Sequence, residues 1–184
     1  MPLLLQSTPG EIVVGVGDCR IAIPPDRSLA TYALGSCLAI MAWDWSSKVG
    51  GLLHVMMPDS SIKGPGPRAA CNPFVYVDTG LPELIRLLEA SGAAKRRLRW
   101  AIAGGASMMA DSASLRIGKR NYLALVNASW RLGIFIENED VGGTDSRSVK
   151  LDLSTGRVDV RTGNGATQIL TPAFNLHSRE GLRR

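Results

Sequence analysis

Residues 31–57 read Thr31-Tyr-Ala-Leu-Gly-Ser-Cys37-Leu-Ala-Ile-Met-Ala-Trp43-Asp-Trp-Ser-Ser-Lys48-Val-Gly50-Gly-Leu-Leu-His54-Val-Met-Met57. Two apolar runs, 38–43 and 51–57, flank a polar stretch, 44–48, that can reverse the chain. Runs of this length without a polar alternation suit strands buried on both faces. The segment therefore predicts a central hairpin, and the rest of the chain is read as what covers it.

Upstream, residues 11–16 and 19–23 read as an opening pair of strands joined at Gly17-Asp18. Downstream, 78–90 predicts a helix. Asp78 or Thr79 is available as its cap, Leu81, Leu84, Ile85 and Leu88 recur at helical spacing, and Gly92 closes it. Residues 98–103 read as a strand running into Gly104-Gly105. Residues 118–132 read as a second helix with Tyr122, Leu125, Val126 and Trp130 on one face, and 134–139 as a strand. Residues 148–153 and 157–161 form a hairpin around Ser154-Thr155-Gly156. The stretch 59–73, rich in Gly, Pro and Ser, reads as a surface loop, and 162–184 as a loosely ordered polar tail. The expected fold class is α/β (α+β), one layered domain of strands with flanking helices over residues 1–184, with its core in 11–161.

Composition narrows the function. With 184 residues, 45% hydrophobic and 20% charged, the chain suits one globular domain and excludes disorder, a fibre or a disulfide-stapled miniprotein. Cys19, Cys37 and Cys71 are an odd number at wide spacing, which argues against a disulfide framework and a structural zinc site. Two histidines, His54 and His177, are too few for a multi-histidine metal centre. Gly15-Val-Gly17 starts like a dinucleotide fingerprint but lacks the third glycine and a following helix, so it reads as a turn. No Walker sequence is present, and no cofactor or metal is expected. The net charge is +5, with the basic surplus confined to residues after 60. That balance suits acidic partners, but no nucleic-acid reading motif accompanies it. No charge-free stretch reaches the ~20 apolar residues that cross a bilayer, and the start lacks the cationic region of a signal peptide. A cytoplasmic protein without membrane insertion is expected.

What remains is Cys37 and His54. A hairpin turn centred between Trp45 and Ser46 sets these two directly opposite, where Cβ atoms stand about 4.5–5.5 Å apart; a one-residue slip would separate them. A thiol beside an imidazole is a nucleophile with its base. Thr31 is placed to orient the imidazole, and N–H groups around Gly35, Ser36 and Cys37 to bind an oxyanion. Spacing alone favours an inert buried thiol and a structural histidine over a catalytic pair.

The residues also resemble a known family. The match runs through 31–39 (TYALGSCLA), 50–54 (GGLLH) with Met57-Pro58, Tyr76-Val-Asp78-Thr79, Gly104-Gly105-Ala106, Ile117-Gly118 with Asn121, Asp140-Val-Gly142-Gly143-Thr144 with Arg147, and Thr155-Gly156-Arg157-Val158. In this order, over residues 11–161, they resemble the CheD family of chemoreceptor glutamine deamidases. The resemblance implies a layered fold similar to the catalytic domains of cytotoxic necrotizing factors, and a cofactor-free site with Cys37 as nucleophile, His54 as base and acid, and Thr31 orienting His54. It implies that the substrates are glutamines in the cytoplasmic helices of methyl-accepting chemotaxis proteins, and that in some members a CheC-type phosphatase is a partner. An alternative within the resemblance is a regulatory binding module without catalysis. One departure is Met108-Met109, where many members carry an aromatic near the second position.

Overall fold

The computed structural model describes residues 10–62, 71–107 and 116–171. Ten strands form two five-stranded sheets, and two helices pack outside one of them. The first sheet has the order β1-β3-β8-β9-β10, with β1 Glu11–Val13, β3 Ser28–Leu34, β8 Arg147–Asp152, β9 Val158–Thr162 and β10 Thr167–Thr171. The second has the order β2-β5-β4-β6-β7, with β2 Asp18–Ala22, β5 Gly50–Val55, β4 Leu38–Asp44, β6 Leu98–Gly104 and β7 Asn138–Val141. Helices α1 (Val77–Ala90) and α2 (Ile117–Leu132) cover its outer face.

The two apolar runs do form the central hairpin, and β4 and β5 are buried along their whole length. Their alternate residues feed two cores. Leu38, Ile40, Ala42, Leu53 and Val55 meet the helices. Ala39, Met41, Trp43 and Leu52 meet Leu29, Leu34, Val149 and Val160 of the first sheet. Burial on both faces is why the runs lack a polar alternation.

The register differs from the expectation. Trp43 pairs with Gly50 and Ala39 with His54, so the turn centres between Ser46 and Ser47, not between Trp45 and Ser46. Asp44 explains the shift. Its carboxylate, 0% exposed, accepts from the Ser46 and Ala94 N–H groups and from the Arg97 guanidinium at 2.7 Å. Arg97 and these donors hold the Asp44 carboxyl well below the usual carboxylate range, burial notwithstanding. Anchored in this way, Asp44 stays in the strand and pairs with Leu98, and the reversal is pushed one residue on.

Other expectations are corrected too. β1 and β2 do not pair with each other; they lie in different sheets. β3 was not anticipated as a strand, and it pairs with β1 and β8. Helix α1 starts at Val77, with Tyr76 at its N-cap making no side-chain cap bond. Asp78 instead accepts from the N–H and hydroxyl of Ser60, and Thr79 donates to the Pro73 carbonyl. The buried face of α2 is Gly118, Asn121, Leu125 and Ser129, while Trp130 is 82% exposed. The strand expected at 134–139 is the shorter, later β7, parallel to β6. Of the expected tail, Thr167–Thr171 adds β10 to the edge of the first sheet; residues 172–184 lie outside the described residues, as do 63–70 of the loop and Met108-Met109. The Lys95–Arg97 turn serves a neighbouring helix end, because Lys95 Nζ donates to the Leu132 carbonyl at the C-terminus of α2.

Helix α2 docks very closely on the end of β6. A Cβ at Gly118 would stand 2.4 Å from the Gly105 carbonyl oxygen and 2.8 Å from that of Ala106. Within a helix, Gly→Ala ordinarily stabilises by about 1 kcal/mol. Here the sign reverses: Gly118→Ala is expected to lose about 2 kcal/mol through overpacking against backbone, measured by urea denaturation. A gain in stability would show that the helix seats less closely than this.

Candidate active site

His54 sits in the interior strand β5, between β2 and β4, with its side chain on the face that meets the first sheet. It is 1% exposed. Across the sheet-to-sheet interior it meets Thr31 of β3, with Thr31 Oγ1 2.8 Å from His54 Nδ1. The Thr31 hydroxyl is also 2.7 Å from the Val14 carbonyl. A carbonyl oxygen only accepts, so the hydroxyl proton belongs to Val14. Thr31 Oγ1 can then only accept from His54, which places the imidazole proton on Nδ1. The relay runs from Nδ1–H to Oγ1–H to the Val14 carbonyl. Nε2 is left as a bare lone pair, buried and without a hydrogen-bond partner among the described residues.

Cys37 lies at the mouth of β4, one residue before the paired strand begins at Leu38. It does not face His54 directly, because Ala39 takes that position. Yet the slip leaves Cys37 and His54 on the same face of the sheet. Cys37 is two residues from Ala39, and side-chain direction repeats every two residues. Cys37 packs, partly buried, against the core between the sheets, as expected for that face. Diagonal positions in such a ladder stand roughly 7–8 Å apart, within reach of longer side chains and of a substrate lying between.

The approach to Cys37 is shaped by backbone. Between Thr31 and Leu34 the pairing of β3 with β8 shifts, and Ala33 takes a φ of +57°. An alanine at positive φ is uncommon, and the bulge it marks redirects the chain from Thr31 towards Gly35-Ser36-Cys37. On the far side, the Gly105 N–H donates to the Cys37 carbonyl at 2.8 Å and the Ala106 N–H to the Gly35 carbonyl at 2.9 Å. Gly104, at φ +114°, passes so close that a Cβ there would stand 2.2 Å from the Cys37 oxygen. Asn121 of α2, 0% exposed, donates both amide hydrogens, to the Ser36 carbonyl at 3.0 Å and to the Met56 carbonyl at 2.9 Å.

Electrostatically the pair rests neutral. Burial pushes the Cys37 thiol above its ordinary value, and it drives His54 down to about 4. No carboxylate faces His54 in the relay, because its partner is a hydroxyl. The Asp18 carboxylate, opposite His54 on β2, is taken up by the Cys19 N–H and by Arg20, and burial is what lowers the His54 value. Cys19 behaves as an inert core thiol, pushed up to about 12 by burial and the nearby Asp18 and Glu83 carboxylates, and Cys71 is exposed. Among the described residues no group of His, Cys, Asp and Glu could hold a metal ion, and no helix is long and apolar enough to cross a membrane. Of the residues singled out from spacing and resemblance, Thr31 and His54 are brought into contact, and Cys37 packs against the same inter-sheet core, with Gly35 and Ser36 in the turn leading to it. Asn121 and the Val14 carbonyl were missed as partners. Asn121 stands 85 residues from Ser36 in the chain, and no local pattern signals such a contact.

The chain as a whole is similar to known proteins. Residues 56–162 match the family model described as CheD chemotactic sensory transduction. A Solibacter usitatus protein named "Probable chemoreceptor glutamine deamidase CheD" is 46% identical over 89% of this chain and 95% of its own length. Proteins of the same name from Pyrococcus abyssi and Clostridium novyi are 41% and 38% identical, over 82% and 83% of this chain and 91% and 93% of their own.

The depressed His54 value has a measurable consequence. The unfolded chain takes up this proton near pH 6.5, the folded chain only near 4. Stability contributed by the neutral imidazole is fully present above pH 6.5 and is lost as pH falls from there towards 4, at up to ~1.4 kcal/mol per pH unit. Urea denaturation between pH 7 and 4.5 is expected to give a steeper loss for the wild type than for His54→Gln. Equal slopes would mean that His54 titrates normally.

Proposed function

The chain belongs to the CheD family, and from that premise we propose that it is a chemoreceptor glutamine deamidase, hydrolysing glutamine side-chain amides in the cytoplasmic helices of methyl-accepting chemotaxis proteins. The observation that carries the catalytic reading is the relay from His54 Nδ1 through Thr31 Oγ1 to the Val14 carbonyl, which leaves Nε2 bare on the face that also carries Cys37.

The chemistry follows from a neutral pair. Cys37 Sγ attacks the amide carbon while its proton passes to His54 Nε2, and the carbonyl oxygen becomes an oxyanion. Charge appears on the imidazole only at this moment. It is stabilised through Nδ1–H, the Thr31 oxygen and the dipole of the Val14 carbonyl. Collapse of the intermediate breaks the C–N bond, and the Nε2 proton leaves with the nitrogen as ammonia. Nε2, bare again, takes a proton from water as that water attacks the thioester. The adduct collapses with cleavage of the C–S bond, the Nε2 proton returns to the Cys37 sulfur, and the glutamic acid formed gives its carboxyl proton to solvent. A hydroxyl in the third position orients the base without a fixed negative charge, so no standing thiolate is produced that oxidants could consume. The reaction needs no cofactor, and a receptor rich in acidic side chains suits the basic surplus of residues 61–184.

Incubating a chemoreceptor cytoplasmic fragment with the protein is expected to convert particular glutamines to glutamate, read by peptide mass spectrometry. Conversion is expected to vanish with Cys37→Ala. Thr31→Val, which keeps the shape and removes the hydroxyl, is expected to lower kcat roughly 10²-fold with little change in KM. No conversion of any glutamine by the wild type would overturn the reading.

A further inference from the structure

The end of the β4–β6 ladder in the second sheet is built in a way that a closed ladder would not require. Odd-numbered residues of β4 exchange hydrogen bonds with β6, and the Gly105 N–H to Cys37 carbonyl bond continues that pattern one step beyond the paired strands. Its reciprocal, from the Cys37 N–H to the Gly105 carbonyl, is missing. Gly104 and Gly105, at φ +114° and +65°, rotate that carbonyl towards α2, where it lies against Gly118. Conformations of this kind are open to glycine. The Cys37 N–H is consequently left without an acceptor among the described residues.

On the other side of the same peptide, Asn121 takes over. The β4–β5 ladder ends at the pair Leu38 and Val55, and beyond it the Ser36 and Met56 carbonyls face a gap. The Asn121 side-chain amide fills the gap and donates to both. Its own Oδ1 is buried without a donor among the described residues, an arrangement that costs about 1–3 kcal/mol. The side chain is thus retained for its two N–H groups at the expense of its oxygen. A peptide unit is planar, with C=O and N–H pointing opposite ways. Holding the Ser36 oxygen towards Asn121 therefore fixes the Cys37 N–H in the opposite direction, towards β6 and beside the Cys37 side chain.

We propose that Asn121 is a positioning residue for acyl transfer, which locks the Ser36–Cys37 peptide so that the Cys37 N–H serves as the oxyanion donor. The proposal deepens the deamidase reading and rests on it for the attack of Cys37 on an acyl carbon. As the S–C bond forms, the carbonyl π electrons move to oxygen, and the Cys37 N–H meets that oxyanion while the thiol proton is on His54. Gly35 and Ser36 contribute the turn, and their carbonyls are the groups held by Ala106 and Asn121.

Two small reagents separate this role from a merely structural one. p-Nitrophenyl acetate acylates a thiol through an oxyanion, whereas iodoacetamide alkylates it by displacement at a methylene carbon with no oxyanion. Asn121→Ala is expected to slow Cys37 acylation about 10–100-fold, read from the p-nitrophenolate burst. The rate of Cys37 alkylation and its pH profile are expected to stay within about twofold of wild type. A parallel fall in both rates would mean that Asn121 merely holds the fold, and unchanged acylation would mean that the N–H needs no such lock; either overturns the proposal. Should the alanine variant fail to fold, the wild type decides. A peptide whose glutamine amide is replaced by an aldehyde forms a thiohemiacetal with Cys37, and the Cys37 amide proton is expected to move downfield in the NMR spectrum. An unmoved resonance overturns the proposal. None of these readouts uses a receptor, so normal wild-type acylation and alkylation with the expected Asn121→Ala split, but no conversion of receptor glutamines, would sink the substrate and leave the oxyanion assignment supported.

Discussion

The bond between Thr31 and His54 joins the two sheets at the proposed site of chemistry. Both side chains are 1% exposed, one on β3 of the first sheet and one on β5 of the second. Such a bond exists only while the sheets stay at their packing distance, and the apolar layer of Leu29, Leu34, Ala39, Met41, Trp43 and Leu52 sets that distance. The histidine cannot relax into water, and its tautomer is dictated by a main-chain carbonyl that has no alternative role. Burial of the pair thus does two things. It makes the hydrogen bonds obligatory, since unpaired polar groups in that layer would be costly, and it suppresses charge on the imidazole.

A neutral thiol and a neutral imidazole contrast with the thiolate–imidazolium pairs that arise near positive charge. Desolvation raises the one and lowers the other. In the proposed reaction, reactivity is tied to substrate, because a bound carbonyl accepting the electron pair makes proton transfer to Nε2 favourable. The bulge at Ala33, the close pass of Gly104 and the bridge from Asn121 all act on backbone around Cys37, not on its sulfur. They determine where Cys37 sits and where its N–H points. Helix α2 reaches the site only because position 118 has no side chain, which lets its first turn rest on the Gly105 carbonyl.

Part of this was legible in the order of residues. The unbroken apolar runs gave away β4 and β5, and the heptad-like spacing of Leu81, Leu84, Ile85 and Leu88 gave away α1. Strand β3 escaped because it carries Ser28, Thr31 and Tyr32 and is interrupted by a bulge, so neither an apolar run nor a strict alternation marks it. The face of α2 was misread because Trp130 was assumed to seek the core. Small residues, Gly118 and Ser129, hold the inner face where the helix lies close, and the large ring is turned outward. The hairpin register was off by two positions because Asp44 is bound by partners 50 and 53 residues away, Ala94 and Arg97.

The sequence by itself determined that Cys37 and His54 lie on one face of the hairpin, since a slip of two leaves side-chain parity intact. It also determined the class of fold, because apolar runs of strand length must be covered on both faces. Tertiary structure alone decided that the Thr31 hydroxyl donates to Val14, that Nδ1 holds the proton, and that Asn121 and the Gly104-Gly105 turn orient the Cys37 peptide. Those contacts join residues 17 to 85 positions apart. Their geometry depends on packing distances between sheets and helix, which no local periodicity encodes.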